Sequence, residues 1–394
     1  MLKRRKKDDY GRVDYSKNKL KTQISGRLLK LGLIGVVIVV SIFLFVNFML
    51  PSFKSAITTT SATFQIGARD YDPSLKLKEK KDYSHAIAAL STKVKYMGDV
   101  YMHGDEVIYG TVGDKATNSQ ITGLYIYNIS TSKTTQVSVS LQNTDILQNK
   151  LNDKYIVYLD SNRIMGSTIK AVNRSNNQTF IVKTCGASNP TLRLYDKYLV
   201  WTERTGTNKD KLFLYDLETR ENSTIHIFDG SESYAFSKPD IYNNTIVYAA
   251  ASSKNEKNGA IYSIYIGGKE TQPYVYETDT YVHNPKTNGT AAVWIDTNGT
   301  SSSNLYYTKN VRNNDERPVQ IASGVTEYGI GDNFVAYNKG NSIYLYFTDD
   351  DETYKLLPEN EYGVIMSVNG NALTWLNTTY STRSKDEIKY VIIK

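Results

Sequence analysis

The chain has 394 residues, a net charge of +7 and one cysteine. The first thirty residues carry eleven lysines and arginines against three aspartates, so the rest of the chain sums to about −1. A nucleic-acid-binding domain would carry its basic residues on the folded part, which argues against nucleic acid as a partner, and a single cysteine excludes an intrachain disulfide.

The basic tail, residues 1–30, is followed by an uncharged apolar segment at residues 31–50, which ends before Pro51. Twenty helical residues at about 1.5 Å each cover the roughly 30 Å hydrocarbon core of a bilayer. Because the lysines and arginines precede this segment, the N-terminus is predicted to be cytoplasmic and the C-terminus extracellular. A cleaved signal peptide is the alternative, but residues 52–56 match a small-residue cleavage site poorly. We therefore predict a single-pass signal anchor in the cell membrane.

Residues 51–84 form a polar connector, rich in Ser and Thr in its first half and in Lys in its second. Neither half has a periodic apolar face, so at most a short strand at residues 63–66 or one helical turn before Tyr83 is predicted there. We interpret residues 51–84 as an extracellular stalk that carries the domain formed by residues 85–394.

Residues 85–394 repeat one pattern seven times: a turn pair of Gly, Asn, Asp or Lys, then a short β-branched strand, the second of its unit, that ends in an aromatic residue. The aromatic residues are Tyr109, Tyr158, Trp201, Tyr248, Trp294, Tyr337 and Trp375, at intervals of 38 to 49 residues. Four-stranded propeller blades repeat at about 40–50 residues. The pattern therefore predicts an all-β, seven-bladed β-propeller, with six blades and one distorted repeat as the alternative. Because the position recurs in every unit, we interpret these aromatics as packing residues rather than sugar-binding platforms.

Other features of the repeat carry a family resemblance. Proline precedes an inner strand at Pro190, Pro239 and Pro285, and several units continue as Tyr-x-Tyr-Asp-x-x-Thr or a close variant. Over residues 99–394 these repeats resemble those of TolB-type propellers, and they are similar to the propeller domains that accompany prolyl-oligopeptidase and dipeptidyl-peptidase enzymes. The resemblance implies the fold and protein or peptide partners, without a particular activity. The blade with Asn173 and Arg174 and the last blade depart from the pattern.

The last blade has room for only one strand after Trp375, so an upstream segment must supply its outer strand. In the well-kept units the outer strand lies about twenty residues before the next aromatic residue. Counting back from Tyr109 predicts residues 86–90 as the closing strand, with residues 63–66 as the second choice.

Residues with catalytic potential are sparse. The four histidines, His85, His103, His226 and His283, lie in different units and show no metal-binding spacing. A metal-dependent lyase would need His103 and His283 to meet at the ring axis, and a peptidase would need a Gly-x-Ser-x-Gly motif that the sequence lacks. The sequence therefore assigns no catalytic residue, no metal ligand and no cofactor.

Several further residues are interpreted as structural. Cys185 is predicted to be a small buried residue, because a nucleophilic cysteine needs a neighbouring base. The acidic runs at 296–299 and 349–351 lack the Gly and Glu of a calcium loop and are predicted to be hairpin turns.

Together these observations predict a non-enzymatic scaffold or receptor that binds a protein, a peptide or a wall polymer through the loops after the aromatic strands. The alternative is an extracellular lyase or hydrolase acting on polysaccharide. The single cysteine and the high Asn, Lys and Tyr content are typical of a Gram-positive bacterium. The sequence does not identify the binding residues.

Overall fold

The structure is a computed structural model that describes residues 88–90, 97–112, 120–143, 145–162, 166–186, 189–204, 209–228, 237–252, 258–267, 271–297, 303–313, 317–357, 361–379 and 387–393. The predicted tail, transmembrane helix and stalk lie outside these residues. Within them the regular secondary structure is entirely β, and there is no helix long and apolar enough to cross a membrane.

The described strands form seven four-stranded antiparallel sheets, which confirms seven blades and excludes the six-bladed alternative. Blade one contains β2 (Met97–His103), β3 (Glu106–Val112), β4 (Ile121–Asn128) and β5 (Lys133–Gln136). Blade two contains β6 (Asp145–Leu151), β7 (Tyr155–Ser161), β8 (Ser167–Asn173) and β9 (Gln178–Cys185). Blade three contains β10 (Arg193–Tyr195), β11 (Tyr198–Glu203), β12 (Lys211–Asp216) and β13 (Asn222–Ile227). Blade four contains β14 (Asp240–Tyr242), β15 (Thr245–Ala251), β16 (Gly259–Tyr265) and β17 (Thr271–Thr278). Blade five contains β18 (Val282–Thr287), β19 (Ala292–Asp296), β20 (Asn304–Thr308) and β21 (Val319–Ser323). Blade six contains β22 (Val325–Ile330), β23 (Phe334–Lys339), β24 (Ser342–Phe347) and β25 (Glu352–Lys355).

The seventh blade confirms the predicted ring closure. It combines three C-terminal strands, β26 (Glu361–Asn369), β27 (Ala372–Thr379) and β28 (Glu387–Ile392), with the first strand of the domain, β1 (Ala88–Ala89). Ala88 pairs with Tyr390 and Ala89 with Lys389, and the Leu90 N–H donates to the carbonyl of Ile388 at 2.8 Å. The second choice, residues 63–66, lies outside the described residues.

The core consists of apolar clusters between adjacent blades, so that each blade is stabilised mainly by its neighbours. The seven recurring aromatics all lie in or beside this core, with at most 8% of each residue exposed. Their predicted packing role is confirmed. They stand in the middle of the second strand of each blade, rather than at its end as the sequence pattern suggested.

In five blades the recurring aromatic lies directly opposite a second aromatic on the third strand, and the two rings stack. The centroid distances lie between 5.2 and 6.2 Å for Tyr109–Tyr125, Trp201–Phe213, Tyr248–Tyr262, Trp294–Tyr306 and Tyr337–Tyr344. Such cross-strand pairs are a main source of sheet stability.

The remaining two blades carry lysine in place of the second aromatic: Lys170 opposite Tyr158, and Lys389 opposite Trp375. These are the two blades whose sequences depart from the repeat. Each lysine finds a carboxylate, Asp160 at 2.8 Å and Glu361 at 3.0 Å respectively. In these two blades, therefore, a lysine with its own carboxylate partner takes the place of the second aromatic ring.

Two of the three recurring prolines stand where the sequence predicted them, just before an inner strand: Pro190 before β10 and Pro239 before β14. Pro285 differs, because it lies within β18, where the register of the pairing with β19 shifts between His283 and Lys286. A proline is compatible with a bulge, since the ladder hydrogen bond is already lost there.

The turns between the first and second strands of each blade, here called the inner turns, bond to one another around the ring. Asn288 closes its own turn, because its Oδ1 accepts from the N–H groups of Thr290 at 3.1 Å and Ala291 at 2.8 Å. Its Nδ2 donates to the carbonyls of Gly331 and Asp332 in the next blade, at 3.0 and 3.2 Å. Asn152 repeats this double role, with its Nδ2 donating to the carbonyl of Asp196 at 2.6 Å.

Replacing Asn288 by Asp should therefore separate the two roles. The carboxylate keeps the turn acceptor but removes the donor to the next blade, so we expect a loss of about 1–3 kcal/mol in the free energy of unfolding. Asn310→Asp is the matched control. Asn310 Oδ1 also closes a turn, by accepting from the Arg312 N–H at 2.9 Å, but among the described residues its side-chain amide donates no hydrogen bond to another blade. Urea denaturation followed by tryptophan fluorescence measures both variants, and equal losses would refute the inter-blade role.

Candidate functional site

The first strand of each blade lines a channel along the axis of the ring, and its side chains form the candidate site. All seven inner strands contribute to a cavity of about 90 Å³, through Tyr101, Lys150, Arg193, Leu194, Asp240, Ile241, Tyr242, Lys286, Thr287, Gly329, Ile330, Met366, Ser367, Val368 and Asn369. We call this cavity the axial channel.

A second cavity of about 270 Å³ lies at the end of the ring that carries the inner turns, and we call it the mouth. It is lined by Tyr101, His103, Asn152, Asp153, Lys154, Leu194, Tyr195, Asp196, Tyr242 and Asn369. Tyr101, Leu194, Tyr242 and Asn369 line both cavities, so the mouth leads into the axial channel.

Three tyrosines line the mouth: Tyr101, Tyr195 and Tyr242. The rings of Tyr195 and Tyr242, from neighbouring blades, lie 4.9 Å apart between centroids at an angle of 52°. Burial raises the pKa of both phenols, so both hydroxyls are protonated at neutral pH. The mouth thus offers ring surface together with neutral hydrogen-bonding groups.

The axial channel contains one internal ion pair. Arg193 Nε lies 3.2 Å from Asp240 Oδ1, and Asp240 Oδ2 accepts from the N–H of Thr287 in the next blade at 3.0 Å. Burial raises the pKa of Asp240, while Arg193 and the backbone donor oppose that shift. The guanidinium and the carboxylate neutralise each other.

Two further cations, Lys150 and Lys286, face the same channel without a carboxylate within ion-pair distance among the described residues. Lys150 Nζ donates to the carbonyl of Asn149 at 3.0 Å and lies 5.0 Å from the centroid of the Tyr101 ring. Lys286 Nζ donates to the backbone carbonyl of Tyr328 and lies 4.8 Å from the centroid of the Tyr328 ring. Burial lowers the pKa of each lysine to about 8.

The structure does not bring the two histidines of the lyase hypothesis together. His103 ends β2 at the mouth, where its Nε2 lies 3.4 Å from Asp153 Oδ1 and its Nδ1 lies 3.2 Å from Asn369 Nδ2. His283 lies near the start of β18, at the opposite end of the inner strands, where burial lowers its pKa. No group of three potential metal ligands occurs within the described ranges.

The other two histidines have different positions. His226 packs between the rings of Phe228 and Tyr248, at centroid distances of 4.7 and 5.3 Å. It is thus part of the aromatic packing between the third and fourth blades. His85 lies outside the described residues.

Cys185 is buried, as predicted, and burial raises the pKa of its thiol to about 12.

Among the acidic runs, Asp296 accepts from the Thr280 hydroxyl at 2.6 Å. Asp351 lies in the turn between β24 and β25, where it accepts from the Tyr346 hydroxyl. Both carboxylates thus have structural hydrogen bonds.

The loops after the aromatic strands, predicted to bind the partner, leave the ring at the end opposite the inner turns, because each second strand begins at an inner turn. Most of their residues, such as 113–119 and 380–386, lie outside the described part of the chain. Their binding role stays a prediction. The described site is the channel, which the sequence analysis did not identify.

The sequence does contain a usable pattern for the channel. Tyr101, Lys150, Arg193, Asp240 and Lys286 each stand two or three residues before an inner turn pair. A charged residue or tyrosine that recurs two or three residues before the inner turn in successive blades indicates a side chain that faces the ring axis.

The fold of the chain is shared by solved structures. The β-propeller domain of the Trilobed protease from Pyrococcus furiosus, described as having an open velcro topology, aligns over 76% of this chain and 96% of its own, with 15% identity and a TM-score of 0.57. Acylaminoacyl peptidase from Pyrococcus horikoshii aligns over 75% of this chain and 51% of its own, with 15% identity and a TM-score of 0.52. An oligogalacturonate lyase in complex with manganese aligns over 81% and 96%, with 12% identity and a TM-score of 0.53.

No family model and no curated protein matches the chain. The alignment with TolB from Acinetobacter baumannii is weaker, with a TM-score of 0.39, so the fold assignment relies on the peptidase and lyase structures. At these identities the similar structures show the β-propeller fold. They do not define an activity.

The prediction that the chain is not an enzyme is contradicted by these comparisons, because the three structures described above are an enzyme's propeller domain, a peptidase and a lyase. The prediction rested on the absence of a linear catalytic motif from the sequence. In a propeller the residues that meet at the axis come from separate blades, so such an absence excludes little.

Proposed function

We propose that the chain is a membrane-anchored, extracellular β-propeller that binds a glycan chain of the cell envelope in its mouth and axial channel. The observation that carries this proposal is the connection between the two cavities, which share Tyr101, Leu194, Tyr242 and Asn369. The proposal concerns binding, and it applies equally to a glycan that is held and to one that is also cleaved.

The shape of the site favours a narrow polymer over a protein surface. A stable protein interface buries about 800 Å² on each partner, whereas the mouth is a cavity of about 270 Å³ that narrows into a channel. Such a space accepts the end of a chain about one sugar wide.

The lining favours a glycan over a peptide. Peptide recognition uses apolar pockets for side chains or an exposed sheet edge, but the exposed large hydrophobic residues in the described part of the chain, Ile181, Ile227 and Tyr265, do not line the channel. The mouth instead combines tyrosine rings with the amides of Asn152 and Asn369. Sugar rings present C–H faces and hydroxyl groups that match both.

Replacing Tyr242 by Ala should weaken glycan binding at least tenfold, because a large aromatic anchor at the centre of a site contributes about 1.4 kcal/mol or more. The measurement is isothermal calorimetry on the full-length chain in a non-ionic detergent. The probes are neutral and acidic oligosaccharides of four to eight sugars, namely chito-oligosaccharides and oligogalacturonides. Chromatography of the same samples shows whether the sugars are shortened.

The control is Tyr265→Ala, which removes a tyrosine that is 41% exposed on β16 and stacks on Arg312 away from the channel. We expect this variant to bind like the parent. If neither series of sugars binds, or if both tyrosine variants bind equally well, the proposed function is wrong.

A further inference from the structure

The axial channel has an excess of positive charge that the rest of the domain does not share. Everything after Lys30 sums to about −1, yet Lys150, Arg193 and Lys286 face the channel together with one carboxylate, Asp240. Since Arg193 and Asp240 pair with each other, the excess is the two lysine ammonium groups.

Both ammonium groups have donors to spare. A protonated lysine has three N–H donors, and each of these lysines makes one hydrogen bond, to a backbone carbonyl of an inner strand. Lys150 also lies over the ring of Tyr101, and Lys286 over the ring of Tyr328, each ring belonging to the adjacent blade. This contact fixes the position of each ammonium group.

The enclosure of these charges is energetically unfavourable in the free protein. A buried ammonium group loses hydration, and an ion pair normally compensates the loss. Lys170 shows the usual arrangement in this fold: it is 3% exposed and lies 2.8 Å from Asp160. Lys150 is also buried, with 7% exposed, but without such a partner. A bound anion would supply the missing countercharge.

We propose that Lys150 and Lys286 form an oxyanion site in the axial channel, which takes the carboxylate or phosphate group of an acidic glycan. This inference rests on the proposed function, since the glycan enters through the mouth. The two lysines then select acidic over neutral glycans, while the tyrosines of the mouth hold the sugar rings.

The geometry places the anion beyond the mouth. Tyr101 lines both cavities and also carries the Lys150 contact, so a chain that passes Tyr195 and Tyr242 meets Lys150 next. The carboxylates of Asp153 and Asp196 stay at the rim, where Asp196 is paired with Lys154 at 3.1 Å.

The test compares oligogalacturonides with neutral galacto-oligosaccharides of equal length, on the full-length chain in non-ionic detergent at low ionic strength. We expect the acidic series to bind at least tenfold more tightly. Lys150→Met and Lys286→Met should each weaken the acidic series about ten- to hundredfold, the value of a charge-assisted hydrogen bond, and leave the neutral series unchanged. Lys355→Met, which removes an exposed charge from the outer strand β25, is the control.

A structural role for the lysines makes the opposite prediction for the free protein. If they held the inner strands together, methionine would lower the melting temperature. If they are ligands, methionine removes an uncompensated charge that is buried at Lys150 and half-buried at Lys286. The melting temperature should then stay the same or rise while acidic binding is lost.

The pH dependence adds an independent measurement. Galacturonate stays ionised above pH 6, so its affinity should fall as the pH rises past about 8, where the lysines lose their protons. Neither lysine variant should show the full fall. The other charged or titratable groups near the two lysines are Asp99, Tyr101, Arg193, Lys238, Asp240, Glu327 and Tyr328.

Inorganic phosphate tests the site without a sugar and separates the two proposals. Stabilisation of the parent by phosphate, lost in both lysine variants, supports the oxyanion site even if no glycan binds. Equal binding of acidic and neutral sugars, with loss in Tyr242→Ala, overturns the oxyanion site and leaves the proposed function intact. If phosphate does not stabilise the parent and Tyr242→Ala does not weaken sugar binding, both proposals are overturned. If phosphate binds more tightly than the oligogalacturonides, phosphate is the preferred group of the oxyanion site.

Discussion

Deletion of residues 85–91 is expected to unfold all seven blades in one transition. The deletion removes β1, which supplies the fourth strand of the seventh blade, and exposes the edge of β28. It also removes Leu90, which is 4% exposed and packs with Val100, Met102 and Ile388 between the seventh and first blades. Truncation of such a side chain alone costs about 2–5 kcal/mol.

Cooperative loss follows from the ring. Each apolar cluster joins adjacent blades, so a ring opened at one junction leaves two blades with an uncovered face. Hydrogen exchange measured by mass spectrometry should then show protection lost in β11, far along the chain from the closure, to the same extent as in β27. A deletion of the same length within the predicted stalk, residues 55–61, is the control and should leave both strands protected.

Local damage would give a different result. If only β26, β27 and β28 lost protection while β11 stayed protected, the closing strand would stabilise one blade and not the ring. In that case the propeller behaves as an open array, in which the stability of each blade depends only on its immediate neighbours.

The repeat was predictable from the sequence because propeller blades form it from local pieces. The turn pairs, the central aromatic and the third strand each lie within one unit, so their spacing alone gave seven blades. The closing strand was predictable for the same reason, since the spacing from outer strand to next aromatic carries over to residues 86–90.

The channel was not predicted, because its chemistry is distributed over the ring. Lys150, Arg193, Asp240 and Lys286 come from four blades, and no two of them are neighbours in the sequence. Their common direction becomes visible only when the inner strands are arranged around an axis. The error about enzymatic activity has the same origin, because it took a missing linear motif as evidence.

The two irregular blades also needed the structure. The sequence showed that the second and last blades depart from the repeat, but not that Lys170 and Lys389 occupy the position of the stacked ring. A lysine in a strand is usually a solvated side chain. Here the carboxylate that holds it, Asp160 or Glu361, lies on another strand of the same blade.

The largest effect of a single substitution is expected for Lys170→Met. Asp160 is fully buried, and without the lysine its carboxylate would keep only the N–H groups of Gln142 at 2.8 Å and Asn143 at 3.0 Å. Lys170 Nζ also donates to the carbonyl of Ser140 at 2.7 Å, in the connection between the first and second blades. Breaking a buried pair from one side costs about 3–5 kcal/mol, so we expect a loss of that size in urea denaturation of the full-length chain.

Lys389→Met is the matched control, because it removes a lysine from the same position opposite the recurring aromatic. The Lys389 and Glu361 side chains are 17% and 26% exposed, so water compensates the remaining carboxylate. A pair of this kind contributes about 0–1 kcal/mol, and the variant should unfold close to the parent. Since the chemical change is identical, the difference between the two variants measures the effect of burial at one position of the repeat. Equal losses would show that both lysines act only as spacers for the missing ring.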